Sequence, residues 1–355
     1  SKAVRNDDGS YAITGTKIFI TWGEHDLADN IIHMVLARTP DAPPGTKGIS
    51  MFIVPKFLVN PDGSLGERNA FKAASLEHKL GIHASPTAVM NFEGATGYLV
   101  GDENQGMRYM FTMMNSARLS VGLQGLAISE RAYQQAREYA QDRRQGRAIG
   151  AAKTDHSPII EHPDVRRMLM TMKAYNEAMR CVLYATAEAF DQANNAPDEA
   201  TREAGQEYMD LLTPIAKGWC TDLGVEMTSL ALQVHGGMGY VEETGVAQHY
   251  RDARIAPIYE GTNGIQAIDL VARKLPMRTG GAVQDLIGQM AALDGELAGV
   301  GEHFESIRTA LSASVADLTA GVLWLAEHGV ADPNNALAGA SPFLRLMGTT
   351  VGGWY

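Results

Sequence analysis

Cysteine is scarce, with only Cys181 and Cys220 in 355 residues. The chain has no CxxC pair and no clustered His/Cys set. This excludes a disulfide scaffold and argues against a zinc site. Both cysteines fall in helical patterns and are expected as small buried apolar groups. Positive charge is also in short supply. Thirty Lys and Arg stand against 41 Asp and Glu, a formal net charge of −11, and no basic block stands out. Nucleic acid is therefore a poor fit as partner. No run reads as long and apolar enough to span a bilayer, so no span is expected. The first residues, Ser1-Lys2-Ala3-Val4-Arg5, lack an initiator methionine and signal-peptide character. The chain reads as an internal fragment whose targeting information is not recoverable.

What is present is the composition of a globular protein: 45% hydrophobic and 20% charged residues. The length supports two or three domains with real cores. Residues 1–105 read as β structure. Tyr11 and Ile13 alternate with polar neighbours. Residues 17–22, 31–36, 49–54 and 88–92 are apolar, β-branched runs of strand length, with turn signals between them. Several short strands of this kind predict a closed or sandwich-like β domain.

From Gly106 the period changes to that of a helix. Met107, Met110, Phe111 and Met114, then Val121, Leu126, Tyr133 and Ala136, mark one long helix toward Arg144. Gly122 and Gly125 inside it cost stability, and close approach of a helix or ligand is the expected compensation. Pro163 suits the first position of a second helix, whose methionines read as core filler. A third helix restarts or kinks at Thr213-Pro214 and stops at His235-Gly236-Gly237. A fourth opens at Thr262, with Ile265, Ile268 and Val271 as its periodic apolar residues. Long helices with short connections indicate a bundle. Residues 283–330 add further helical pattern.

The richest stretch is Ile258-Tyr259-Glu260-Gly261-Thr262-Asn263. An apolar run leads into one carboxylate, which would be desolvated and become a better base toward a carbon acid. Thr262 can cap the following helix, whose free N–H groups favour a phosphate. A base and a phosphate site two residues apart point to a flavin enzyme that removes a proton beside a carbonyl. A glutamate in an ordinary loop before a capped helix gives the same spacing.

Phe19-Ile20-Thr21, Arg143-Arg144-Gln145-Gly146, Gln233-Val234-His235-Gly236-Gly237 and Arg251-Asp252-Ala253-Arg254 accompany the Tyr259-Glu260-Gly261-Thr262 turn, in that order. Over residues 1–275 the set resembles the FAD-dependent acyl-CoA dehydrogenases. The resemblance implies an α+β fold: a middle β-barrel (1–105, its N-terminal part missing), a C-terminal four-helix bundle with the FAD and catalytic-base residues (106–275), and a truncated helical extension (276–355). Residues 55–59, 77–87 and 111–115 and Asn263-Gly264-Ile265-Gln266 resemble the larger subgroup that includes methylthiopropanoyl-CoA dehydrogenases and long-chain-type relatives.

The implied activity is α,β-dehydrogenation of an acyl-CoA. Glu260 takes the α-proton and FAD the β-hydride. Tyr259 and Gly261 flank the substrate, and a backbone N–H at or beside Glu260 polarises the thioester carbonyl. Thr21 corresponds to the threonine on the flavin edge. Phe19 corresponds to a ring packed on the flavin, although a barrel-core residue suits that position equally. Arg143 corresponds to the arginine on a neighbouring subunit's FAD pyrophosphate, and a cation at a helix C-terminus fits it too. Gln233, Gly236 and Gly237 match the adenine-side loop, and a glycine helix stop explains Gly236 as well. Thr262 matches the phosphate-binding helix start. Arg118 aligns with an arginine at the CoA end of the substrate or forms a buried ion pair. His83 and His235 are taken as structural. Gly264 stands where many relatives carry glutamine, so that cofactor contact is not carried over. Part of the flavin site precedes this chain, and weak FAD retention is expected. Electron-transferring flavoprotein is the implied acceptor, with a homodimer or homotetramer and a cytoplasmic setting. An acyl-CoA oxidase and a scaffold without flavin are the competing readings.

Overall fold

A computed structural model describes residues 1–152 and 156–355, apart from the side chain of Asn115. The chain divides into two compact units, Ser1–Asn115 and Ser116–Tyr355.

The first unit is antiparallel β structure. Its strands are β1 (Lys2–Arg5), β2 (Tyr11–Thr21), β3 (Ile32–Ala37), β4 (Ser50–Pro55), β5 (Phe57–Val59), β6 (Leu65–Arg68), β7 (Phe71–Leu76) and β8 (Thr87–Leu99). The longest strand, β8, is the spine. It pairs with β2 along its length, with β7 at its first half and with β4 at its end. The sheet order is β1-β2-β8-β4-β3, and β5 and β6 form a separate hairpin. Alternation sends Tyr11, Ile13, Phe52, Val54, Met90 and Phe92 into one core. The predicted closure into a barrel is not seen among the described residues. The free edges, β1 and β3, meet only through one bridge, between Lys2 and Arg38.

The second unit is helical. It contains most of α1 (Gly106–Asp142), followed by α2 (Pro163–Asn195), α3 (Glu199–His235), α4 (Gly237–Tyr240), α5 (Val246–Ala253), α6 (Asn263–Asp269), α7 (Gly281–Ala298), α8 (Glu305–His328), α9 (Pro333–Ala338) and α10 (Ala340–Trp354). Pro163 occupies the first turn of α2, where its missing N–H costs nothing. Asp198 caps α3 by accepting from the Thr201 N–H. The expected restart at Pro214 does not occur; α3 runs through it without interruption. α3 is the axis of the core, with Leu212, Ile215, Trp219, Leu223 and Met227 buried along it. Each such side chain contributes about 1.5–3 kcal/mol of burial.

The expected compensation for the α1 glycines is present. A Cβ on Gly122 would lie 2.3 Å from the Ala216 carbonyl oxygen, so α1 and α3 touch through their backbones. α10 packs on α3 differently, the Gly348 and Gly352 backbone lying against the Trp219 side chain. Residues 283–355 join this same core through Val283, Leu318, Met347 and Val351.

Two expectations are corrected. Cys220 is buried, but Cys181 is exposed, on the outer side of α2. The helical stretch Glu302–His328 is long and apolar enough to cross a bilayer, with mean hydropathy 1.4 in its most apolar window. Only 22% of that window is buried, and Leu311, Val315, Leu318 and Leu325 are the residues that pack inward.

Candidate active site

The 257–263 loop carries the candidate base. Ala253 and Ala256 are buried and anchor its entry. Ile258 and Tyr259 each donate a backbone N–H to the Ile255 carbonyl, at 2.8 and 3.1 Å. Glu260 and Gly261 then both adopt left-handed backbone, φ 55° and 85°. For a glutamate that conformation is strained and persists only where surrounding structure holds it. Asn263 supplies the closure, its N–H donating to the Pro257 carbonyl at 3.0 Å. The Thr262 hydroxyl accepts from the Ile265 N–H at 3.3 Å, the predicted cap.

The predicted apolar enclosure of Glu260 is not what the structure holds. Glu260 and Ile258 are exposed. No salt bridge or hydrogen bond engages the Glu260 carboxylate among the described residues. Tyr259 is half-buried, and its hydroxyl donates to Gln124 Oε1. Burial raises the Tyr259 pKa, the Gln124 contact lowers it, and the Glu260 charge raises it. The predicted apolar face of α6 is also reversed. Ile265 and Ile268 are exposed, while Gln266, Ala267, Asp269 and Leu270 are buried. A five-residue turn, with the Leu275 N–H donating to the Leu270 carbonyl at 2.9 Å, follows α6 and shifts its register.

Arg118 lies inside this unit, 5% exposed, with Nη1 3.2 Å from Asp269 Oδ2. The buried ion pair, one of the two roles open for it, is present. Asp269 also accepts from Arg273 Nε at 2.5 Å. Beside this pair sits a group that the sequence reading missed. Lys217 is 0% exposed, in the middle of α3. Its Nζ donates to Asn263 Oδ1 at 2.9 Å. Burial lowers its pKa to about 8, opposed by Asp222 and Glu260 and assisted by Arg118. The signal was available: Thr213, Lys217, Thr221 and Thr228 form a polar line at near-helical spacing within an apolar helix, and all four are buried.

A second constellation lies at the other end of α3, about 27 Å from Lys217 along the helix axis. A cavity of 510 Å³ brings together Arg143, Gly236 and Gly237 with Tyr139, His162 and His235. Gly236 ends α3 with φ 60°, and a Cβ on Gly236 or Gly237 would meet no atom within 4 Å. The backbone there faces open space. His235 is buried, stacks on Tyr139 at 4.3 Å and bonds the Ala231 carbonyl through Nδ1, a structural arrangement; burial lowers its pKa. Gln233 is exposed one turn earlier and does not line the cavity. An exposed, permanently charged guanidinium beside bare glycine backbone is a donor set that fits a pyrophosphate.

In the first unit, Phe19 has φ 58° and is 67% exposed. It sits where the β2–β8 register shifts between Lys17 and Ile20, so the bulge turns its ring away from the core. The barrel-core alternative for Phe19 is thereby removed. Thr21 ends β2, exposed. His83 is exposed.

A family model described as acyl-CoA dehydrogenase, C-terminal domain, matches residues 104–275, and one described as acetyl-CoA dehydrogenase C-terminal like matches residues 283–355. The chain belongs to the acyl-CoA dehydrogenase family. It is 54% identical over 353 residues to a 3-methylmercaptopropionyl-CoA dehydrogenase of Ruegeria pomeroyi, covering 99% of this chain and 60% of the relative. It is 35% identical over 370 residues to a broad-specificity linear acyl-CoA dehydrogenase of Mycobacterium tuberculosis, covering 100% of this chain and 60% of that protein. An acyl-CoA dehydrogenase of Bacillus anthracis, solved complexed with FAD, has the same fold with TM-score 0.76 at 20% identity, covering 99% of this chain and 58% of that one. The chain thus spans about three fifths of the length of these relatives.

Proposed function

We propose that the protein containing this chain oxidises an acyl-CoA thioester to its 2-enoyl-CoA, with Glu260 as the base that removes the α-proton. The observation that carries this reading is the Glu260 turn. A carboxylate is held on strained backbone by a closed loop, and no partner among the described residues competes for the proton it would accept. Strain of this kind marks functional positions. FAD, when bound, supplies the acceptor for the hydride that leaves the β-carbon. Arg143, Gly236 and Gly237 would hold its pyrophosphate and adenine side, with Gln233 and Thr262 as further contacts. Phe19 and Thr21 would meet the flavin ring. Tyr259 and Gly261 flank the acyl thioester, and the Glu260 backbone N–H is available to its carbonyl.

The two constellations stand about 27 Å apart along α3. This supports the reading that Arg143 serves the cofactor of a second copy in a homodimer or homotetramer. Electron-transferring flavoprotein is the proposed acceptor, and the cytoplasm the proposed setting. The family's barrel is proposed for the first unit. The four-helix bundle is proposed for α1, α2, α3 and α6 with its following turn. The identity to the Ruegeria pomeroyi enzyme favours methylthiopropanoyl-CoA as substrate.

The test is Glu260→Gln in the full-length protein, assayed with methylthiopropanoyl-CoA and straight-chain acyl-CoAs. Turnover should fall about a hundredfold to ten-thousandfold with the circular dichroism spectrum unchanged. Retained turnover would place the base elsewhere.

A further inference from the structure

A lysine is an expensive residue to bury, because its charge loses hydration that one neutral acceptor does not replace. Lys217 is fully buried on α3, one turn before Thr221. Its aim explains its presence. Nζ reaches Asn263 Oδ1 at 2.9 Å, and Asn263 is the residue that closes the Glu260 loop. The Asn263 amide is saturated. Oδ1 also accepts from Thr221 at 3.2 Å, while Nδ2 donates to the Gly218 carbonyl at 3.0 Å and to Asp222 Oδ1 at 2.7 Å. One turn of α3 thus grips one side chain of the loop from several directions. Saturated buried networks of this kind fix geometry more than they add stability.

We propose that Lys217 is a positioning residue for Glu260: through Asn263 it locks the loop exit, and with it the left-handed backbone that presents the carboxylate. The proposal rests on the reading of Glu260 as base. The charges of Lys217 and Glu260 also act on each other. The other charged groups facing Lys217 are Asp222 on its own helix and Arg118 on α1. Arg118 is neutralised by Asp269, and Asp222 senses Glu226 and Arg345.

The experiment uses the full-length, FAD-loaded protein and the variants Lys217→Met, Lys217→Gln and Asn263→Ala, with Glu260→Gln as control. Hydrogen–deuterium exchange of the 257–266 peptide reads the lock directly. Rapid-mixing flavin reduction by methylthiopropanoyl-CoA across pH reads its consequence. Lys217→Met should speed exchange of that peptide about tenfold, Asn263→Ala, which also removes the Gly218 and Asp222 bonds, at least as much, and the double variant no more than Asn263→Ala. Lys217→Gln can still donate to Asn263 and should keep the protection. Flavin reduction should slow about a hundredfold in Lys217→Met, with substrate binding little changed. Lys217→Gln should restore much of the rate, because the donor to Asn263 is kept.

Wild-type exchange together with a wild-type rate in Lys217→Met overturns the proposal. So does exchange that rises equally throughout the second unit, which marks a merely structural lysine. If Lys217→Met does not fold, Asn263→Ala decides by the same criteria. Turnover retained by Glu260→Gln would overturn the base reading alone, and the exchange result would still decide the lock.

Discussion

Gly125 of α1 lies against the Cys220 carbonyl of α3, so closely that a Cβ there would stand 2.6 Å from the oxygen. Backbone faces backbone, and neither can yield cheaply. Gly125→Ala is therefore expected to destabilise the fold by about 1–3 kcal/mol. Gly288 on α7 is the control, with nothing within 4 Å of its Cβ position. Gly288→Ala should stabilise by about 0.5–1 kcal/mol. Urea denaturation of the two variants should move in opposite directions.

Gly261→Ala tests the loop itself. Its φ of 85° disfavours any side chain, and the added methyl would stand 2.9 Å from Gln266 Nε2. Strain of about 1–3 kcal/mol should push the loop out of its closed form. Turnover should fall far more than the thermal midpoint does; equal and small effects on both would show the turn to be tolerant.

The buried Lys217 has a pH signature. Its pKa is lowered to about 8 in the folded chain, against an ordinary value of 10.5. Between those values the unfolded chain holds a proton that the folded chain has released. Unfolding then takes up protons, and stability rises with pH. The wild type should gain thermal midpoint relative to Lys217→Met as pH rises from 8 toward 10. Below pH 8 the difference between them should be flat. A difference that shrinks over that range would show that the amine stays charged when folded.

Arg118 and Arg143 should behave as opposites. Removing the Arg118 guanidinium leaves the buried Asp269 carboxylate without one of its two cations, a loss of the kind that costs about 3–5 kcal/mol. Arg118→Ala should therefore unfold early in denaturant. Arg143 is exposed beside its cavity, so Arg143→Ala should keep its stability and lose FAD affinity, followed by flavin fluorescence. A stable Arg118→Ala with a raised KM would return Arg118 to the substrate.

Local chemistry was legible in the sequence where one residue type has one reason to be there. Pro163 at a helix start, Thr262 at a cap and Gly236 at a helix end each follow from backbone geometry alone. The change of period at Gly106 marked the onset of α1 for the same reason. What depends on neighbours distant in sequence was not legible. The spacing of Ile265, Ile268 and Val271 looks like a buried stripe, yet only Val271 packs against the core, and the α6 residues buried there are Gln266, Ala267 and Asp269. Pro214 looks like a break, yet packing around it keeps α3 whole. Lys217 looks like a solvent-facing charge until Asn263, 46 residues on, is seen beneath it.

α3 ties the chemistry at its middle and at its C-terminal end to a single rotational phase. One residue inserted between Cys220 and Gln233 would turn the Gly236 end by about 100° relative to Lys217. Either the glutamate clamp or the guanidinium cleft would then face the wrong way. Sequence drift along this rod is consequently confined to substitution, and length variation among functional homologues should fall in the loops instead.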